Sequence, residues 1–475
     1  MAASETEFPR RELLTASLAT TAWALTMESN AMTTAESLLP RVGVIGAGFG
    51  GLACAYELSV AGYSVDVFEA RNRIGGRVRS EAEFAPGQVI EFGAELIGKN
   101  HSNWMRYAKA FGIKLTSVDD GGDSVREVLV DGKRYLGDDV RQLEKEMELG
   151  YEALNSDAKR ANSQEPWKTP DAARFDRMSV ADRLSQMTLT DRARLTLARE
   201  LELDMAVPLE NMNYLALMCT IHAHGVEKFW TDTEVYRAEN GNQTLASYLA
   251  GGIRGTMHLD CPVTNVVSKD REMQIRLQDG RSFTYHDIVL AVPPSVWSRI
   301  EFSPALPAAL KPQMGTATKL LSICRDGFWE PTRSPDSLTD TLVGSTWEGA
   351  PEPDGKRKSL VAFAGGSAAE AIHQLGFSAQ KKGVADAIEA WLPGYKQALE
   401  KSELVDWPAD PWVKGGYSFP RPGEFLAQAR LLRDGIGRLH FAGEHASTGF
   451  IGYMEGGLDS GVSLANRLIQ RDRNR

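Results

Sequence analysis

Val42-Gly43-Val44-Ile45-Gly46-Ala47-Gly48-Phe49-Gly50-Gly51 passes from an apolar run straight into a glycine turn of the form G-x-G-x-x-G. A helix-like stretch follows from Leu52 to Ala61, then a second apolar run, Val65-Asp66-Val67-Phe68, ends on Glu69. The order is strand, turn, helix and strand with an acid at its tip. Glycines let the backbone approach a pyrophosphate at a helix N-terminus, where free N–H groups and the helix dipole favour negative charge. An acid about 20 residues on accepts from ribose hydroxyls. Such a turn alone is weak, because it can be purely structural. With both strands, the helix and Glu69 in register, the pattern predicts adenine dinucleotide binding through Gly46, Gly48, Gly51 and Glu69.

The next residues separate nicotinamide from flavin. Glu69-Ala70-Arg71-Asn72-Arg73-Ile74-Gly75-Gly76-Arg77 sets a second glycine pair and a guanidinium just beyond the ribose site, and a planar bidentate donor suits phosphate oxygens. On these residues the chain resembles the flavin-containing amine oxidase family, which includes monoamine, polyamine and L-amino-acid oxidases. The resemblance implies non-covalent FAD on a glutathione-reductase-like α/β fold with an interleaved α+β substrate domain. Glu69 would hold the adenosine ribose and Arg77 the pyrophosphate, with Ala70, Arg71 and Gly76 beside them. Arg71 and Arg73 read equally as a solvated basic loop.

At 475 residues one core is not expected, since single cores stop growing near 250–300 residues. Hydrophobic content of 43% and 24% charged residues fit a soluble globular chain. A net charge of −10 argues against nucleic acid or an anionic membrane surface as the main partner. The four cysteines, Cys54, Cys219, Cys261 and Cys324, lack metal-ligand spacing and read as small core residues, with no metal site expected. Pro9-Arg10-Arg11-Glu12-Leu13-Leu14, followed by a short apolar stretch from Ala16 to Leu25, looks like a twin-arginine export signal. Periplasmic or extracellular export is the expectation for residues 1–38. The alternative is a disordered extension on a cytoplasmic protein. No stretch approaches the roughly 18 apolar residues of a membrane span.

Gln88 to Gly98 is strand-like and broken by small residues, and His101 and Trp104 begin a helical pattern. From there to Trp230 the periodicity is helical and amphipathic. Strands are expected at Met257 to Leu259, Val263 to Val267, Met273 to Leu277, Ser282 to Tyr285 and Ile288 to Val292, with Asp279-Gly280 as a hairpin turn. The alternation of Gly315 to Cys324 makes another strand and sets Lys319 on a face with Leu321 and Ile323, where an ammonium needs a polar partner. The expected organisation is FAD domain at 39–104, 231–300 and 407–475, a helical substrate insertion at 105–230, and further substrate domain at 301–406.

The C-terminal segments strengthen the resemblance. Trp407-Pro408-Ala409-Asp410-Pro411-Trp412, Gly415-Gly416-Tyr417, Leu439-His440-Phe441-Ala442-Gly443-Glu444 and Gly452-Tyr453-Met454-Glu455-Gly456-Gly457 stand in the family's order. By that likeness Gly93, Ala94, Glu95, Gly443, Glu444, Tyr453 and Met454 line the flavin, and Val263 walls its adenosine half, although Val263 reads as easily as core. Lys319 would reach flavin N5 through a water. Tyr417 and Tyr453 would flank the path of a neutral amine. Covalently flavinylated monoamine oxidases carry a cysteine where this chain has Gly416, so a non-covalent cofactor is expected.

Phe229 to Glu234 running into Arg237, and Glu91 to Gly98 with His101 and Trp104, are similar to microbial L-amino-acid oxidases. That likeness implies oxidative deamination of an L-amino acid by dioxygen to a 2-oxo acid, ammonia and hydrogen peroxide. The arginine with which animal-type enzymes grip the α-carboxylate is replaced here by Glu95-Leu96. Arg237, or an arginine of the helical insertion, is then the expected clamp. A primary amine or polyamine is the alternative substrate, with Glu95 holding a distal cation, and a desaturase-like or non-catalytic flavin protein is a further one. A homodimer is compatible with this reading.

Overall fold

In the computed structural model, residues 39–85, 87–118, 126–325, 327–329, 334–351 and 357–474 are described, so the twin-arginine segment lies outside them. The strand Val42–Ile45 is the middle of a five-stranded parallel sheet ordered Leu439–Phe441, Asp287–Leu290, Val42–Ile45, Val65–Phe68, Met257–His258. Val44 pairs with Val67 on one side and Val289 on the other. All four residues of the middle strand are buried, which is why it reads as a continuous apolar run rather than an alternation.

Helix Phe49–Val60 leaves the glycine turn and packs along helix Met454–Arg473. Their closeness depends on glycine: a methyl at Gly461 would meet the Gly50 carbonyl oxygen at 2.4 Å, and one at Gly50 would meet the Gly443 nitrogen at 2.6 Å. Two helices far apart in sequence thus share one core with the parallel sheet.

A four-stranded sheet follows in the order Ser282–Tyr285, Glu272–Leu277, Val263–Lys269, Glu301–Ser303. Its alternating burial, with Met273, Ile275 and Leu277 inward, matches the period-two pattern of the sequence. A seven-stranded sheet carries Leu399–Asp406, Ala317–Arg325, Arg357–Gly365, Ser345–Pro351, Ser337–Thr339, Glu127–Val130 and Lys133–Tyr135. Ala317–Arg325 is buried on both faces, so Lys319 is 4% exposed among Leu321, Ile323, Phe92 and Val361.

The stretch from Trp104 to Trp230 is built on helices Asp138–Ala158, Asp191–Met205 and Tyr214–Ala223, but also holds strands that helical periodicity does not reveal. Glu127–Val130 pairs in parallel with Ser337–Thr339, and Leu115–Ser117 pairs with Tyr236–Ala238. Three or four residues are too few to display a period, and such strands are specified by distant partners. All four cysteines are buried and free. Among the described residues no helix is long and apolar enough to cross a membrane.

Candidate active site

One continuous cleft, with about 1970 Å³ of open space, runs from the glycine turn to the seven-stranded sheet. Its first half is backbone and paired charge. Gly46 has φ +107°, a left-handed conformation that a side chain would strain, and a methyl at Gly51 would sit 2.1 Å from the Gly46 carbonyl oxygen. Gly48 differs: a methyl there meets nothing within 4 Å, because this residue lines the open cleft. The three glycines therefore make the turn, admit a ligand and let the helix close on the strand, which is the cradle a dinucleotide pyrophosphate requires. Glu69 stands at the tip of its strand, 7% exposed, accepting from the Ala47 N–H at 2.9 Å and the Arg71 N–H at 3.0 Å. Arg71 pairs with Asp410, which ties the turn to the C-terminal segment.

Arg77 donates to the Gly416 carbonyl at 2.9 Å and to Glu444 at 2.8 Å. Glu444 also accepts from the Ser418 N–H and hydroxyl and from the Gly452 N–H at 3.0 Å. Burial opposes its ionisation, but Arg77 and these donors hold its carboxyl below the usual range. Glu444 thereby fastens three separate loops around the cleft. Gly416 is packed so that a methyl would lie 2.7 Å from the Ala317 side chain and 3.0 Å from its nitrogen, which excludes a cysteine without backbone movement. Ala70, Gly76, Gly93, Ala94, Gly443 and Met454 line the same cleft.

The second half is made of side chains. Lys319 donates to the Glu91 carbonyl at 3.0 Å, to the Gly93 carbonyl at 3.2 Å and to the Glu95 carboxylate. Arg237 bonds the other Glu95 oxygen at 2.8 Å and the Glu348 carbonyl at 3.1 Å, and the Trp347 indole N–H reaches Glu95 at 3.1 Å. Burial penalises the Glu95 carboxylate, yet the Lys319 and Arg237 cations keep it below the usual range. This triad changes two expected roles. Arg237 is bonded to Glu95 behind the cleft lining, and Glu95 is already held by two cations, so the arrangement presents neither as a free grip for substrate. Val263 is likewise outside the lining, with 8% of its surface exposed in the core beneath the four-stranded sheet; Ala291, Val292 and Pro293 line the cleft instead.

Tyr417 and Tyr453 both line the cavity. The Tyr417 hydroxyl donates to the Asp204 carbonyl at 2.9 Å, and a methyl on Gly452 would be 3.0 Å from the Tyr417 ring, so the two tyrosines are brought together by a glycine of φ +86°. Tyr453 packs on His224 and His101, with ring centroids 4.7 and 5.6 Å away. Burial keeps both histidines neutral, His224 at about 4 and His101 well below its ordinary value. Burial and the nearby carboxylates push both phenols well above their usual range, so they remain neutral.

Leu203, Asp204, Glu234, Ser345, Trp347 and Phe363 complete this half and escaped sequence reasoning. Glu234 ends the stretch Phe229 to Glu234 with no neighbour that gives it a role, and Asp204 lies on an amphipathic helix where an acid is unremarkable. Both gain meaning only from the fold. Burial, and then its neighbour Glu95, raise Glu234 to about 7; burial and Glu234 raise Asp204 well above the ordinary aspartate value.

A dinucleotide cleft opening into a tyrosine-lined cavity defines a cofactor-dependent oxidoreductase acting on a small molecule. The chain belongs to the flavin containing amine oxidoreductase family, whose model matches residues 49–469, and it binds FAD. It is 25% identical to a probable flavin-containing monoamine oxidase A of Dictyostelium discoideum over 91% of this chain and 98% of that one. It is 24% identical to an L-amino acid dehydrogenase of Synechocystis, covering 90% and 94%. Among solved structures it resembles cyclohexylamine oxidase from Brevibacterium oxydans, with a TM-score of 0.80, 26% identity, and coverage of 92% and 100%.

Proposed function

We propose that this flavoenzyme oxidises amines that lack an α-carboxylate, giving a carbonyl compound, ammonia and hydrogen peroxide from the amine, dioxygen and water. The observation that carries this reading is the sign of the substrate end. Asp204 and Glu234 line it, and among the described residues neither is bonded to a cation, so a substrate carboxylate entering there would meet two acids and no positive partner. Bound FAD supplies the two-electron acceptor. The chain's own residues do the rest. Tyr417 and Tyr453 offer neutral aromatic faces that orient an unprotonated amine and exclude water. Lys319 is fixed in place by two carbonyls and Glu95, where it keeps a rigid ammonium beside Gly93.

An L-amino acid is the second reading. It is favoured by the name of the Synechocystis relative and by the Glu95 triad, which holds two cations to one anion. Pentylamine and L-norleucine differ only by the carboxylate. Peroxide formation should favour pentylamine in kcat/KM by about 100-fold, the scale on which a polar site rejects a mismatched group. A preference for L-norleucine would establish the second reading. The packing at Gly416 further predicts that acid denaturation releases FAD into the supernatant; flavin left on the precipitated chain would contradict it.

A further inference from the structure

We propose that Asn100, His101 and His224 hold one buried water molecule behind Tyr453, and that through it the two histidines act as positioning residues for this wall of the substrate cavity. The proposal goes beyond the reading above and stands whether an amine or an amino acid is oxidised.

The polarity of each group is fixed by the bond it makes on its other side. The Gly98 N–H donates to His101 Nδ1 at 2.8 Å, so that nitrogen is bare and the neutral ring carries its proton on Nε2. The Thr220 carbonyl lies 2.8 Å from His224 Nδ1 and can only accept, so there the proton sits on Nδ1 and Nε2 is bare. Asn100 donates its side-chain N–H to the His224 carbonyl at 2.9 Å, which leaves Oδ1 as an acceptor. His101 and His224 are fully buried. Among the described residues no partner reaches His101 Nε2, His224 Nε2 or Asn100 Oδ1, although all three atoms are shut off from solvent. Buried polar atoms are ordinarily bonded.

The three atoms share one neighbourhood. The two imidazole centroids are 5.6 Å apart, and a methyl at Gly98 would meet Asn100 Oδ1 at 2.3 Å and His101 Cδ2 at 3.0 Å. One donor and two acceptors are the complement of a water molecule that accepts one hydrogen bond and donates two. Buried waters make about three such bonds.

The place gives the site its consequence. His101 precedes helix Ser102–Phe111 and His224 follows helix Tyr214–Ala223, so the water joins the flavin side of the protein to the helical insertion. Both rings pack on Tyr453. Tyr417 is held at its hydroxyl by the Asp204 carbonyl, whereas among the described residues no protein group bonds the Tyr453 hydroxyl. Tyr453 is therefore held from behind, by the imidazoles. A ring bonded only at Nδ1 can still swing about that bond. A second bond at Nε2 stops the swing, and with it the movement of the tyrosine that rests on the ring.

The test begins with the FAD-loaded parent. Its crystal structure should show one water within about 3.2 Å of all three atoms. Nitrogen NMR shifts of histidine-labelled protein should report the Nε2–H form for His101 and the Nδ1–H form for His224. A direct bond between the two rings, or the same tautomer in both, overturns the site. The positioning role is read in anaerobic flavin reduction by pentylamine or L-norleucine, whichever the parent oxidises faster. His224→Phe keeps an aromatic ring and removes the acceptor, and should slow the limiting rate about 10-fold while substrate affinity changes less than about three-fold. His224→Gln puts an acceptor back near the Nε2 position and should recover to within about three-fold of the parent. A Phe variant as fast as the parent, or Phe and Gln variants equally slow, overturns the role. Should His224→Phe fail to load FAD, Asn100→Ala, which removes another acceptor of the same water, takes its place: the same slowing supports the role and an unchanged rate overturns it.

Discussion

The two halves of the cleft are built on opposite principles. At the cofactor end the chain approaches its ligand with backbone: glycines at 46, 48 and 51, and carboxylates at Glu69 and Glu444 already satisfied by the protein. At the substrate end it approaches with side chains drawn from segments as far apart as Glu95, Asp204, Lys319 and Tyr453, of which Glu95 and Lys319 hold each other while no bond reaches the Asp204 carboxylate among the described residues. The first arrangement suits a cofactor that stays. The second suits a molecule that must enter, be recognised and leave.

The sharpest way to break this contrast is at Gly51, where any side chain collides with the Gly46 carbonyl. Gly51→Val should abolish flavin loading and much of the soluble protein. Gly48→Ala should fold with an unchanged apoprotein Tm and lose affinity for FAD, since its methyl points only into the cleft. Flavin content against apoprotein Tm measures the difference; a Gly51→Val protein that purifies yellow would refute the packing argument.

A smaller effect is expected at the triad. Glu95→Gln leaves Lys319 and Arg237 as like charges in one buried site, with side chains 5% and 15% exposed, and should destabilise the fold by about 3–5 kcal/mol. Lys319→Met leaves Glu95 with Arg237 and should cost less stability. Its loss should appear in flavin reduction or reoxidation, slowed about 10-fold or more, equivalent to about 1.4 kcal/mol. Urea unfolding and single-turnover rates on the two variants would reveal the opposite order if the lysine were merely structural.

The smallest effect is a drift with pH. Burial raises Glu91, Glu234 and Glu455 to about 7, above an ordinary glutamate value of 4.5. The folded protein then keeps protons that the unfolded chain has released, so stability falls as pH rises from about 4.5 through 7. Buried His101 and His224 act in the opposite sense below their ordinary value of 6.5, so the interval that isolates the carboxyls is pH 6.5 to 7.5, over which the apoprotein Tm should fall and Glu234→Gln should flatten part of the slope. A Tm that climbs over that interval would show these carboxyls ionised in the folded state.

The same contrast governs what the chain discloses before it is folded. Val42 to Glu69 could be read because a dinucleotide turn is local: strand, glycines, helix and acid lie within thirty residues and each type has one physical purpose. The strand at Lys319 was legible from its local alternation. Arg237 illustrates the limit. Its sequence context suggested a carboxylate clamp, but strand Tyr236–Ala238 places it behind Glu95, and only a pairing across more than a hundred residues decides that. Asp204 was invisible because an acid on an amphipathic helix is usually solvated, and the strands Glu127–Val130 and Lys133–Tyr135 were too short to show a period.

The most direct measurement of the account is anaerobic mixing of the FAD-loaded enzyme with pentylamine and L-norleucine in turn, following loss of the yellow absorbance. Pentylamine is expected to bleach the flavin faster than L-norleucine. Faster bleaching by L-norleucine would contradict the function drawn from the acid-lined substrate end.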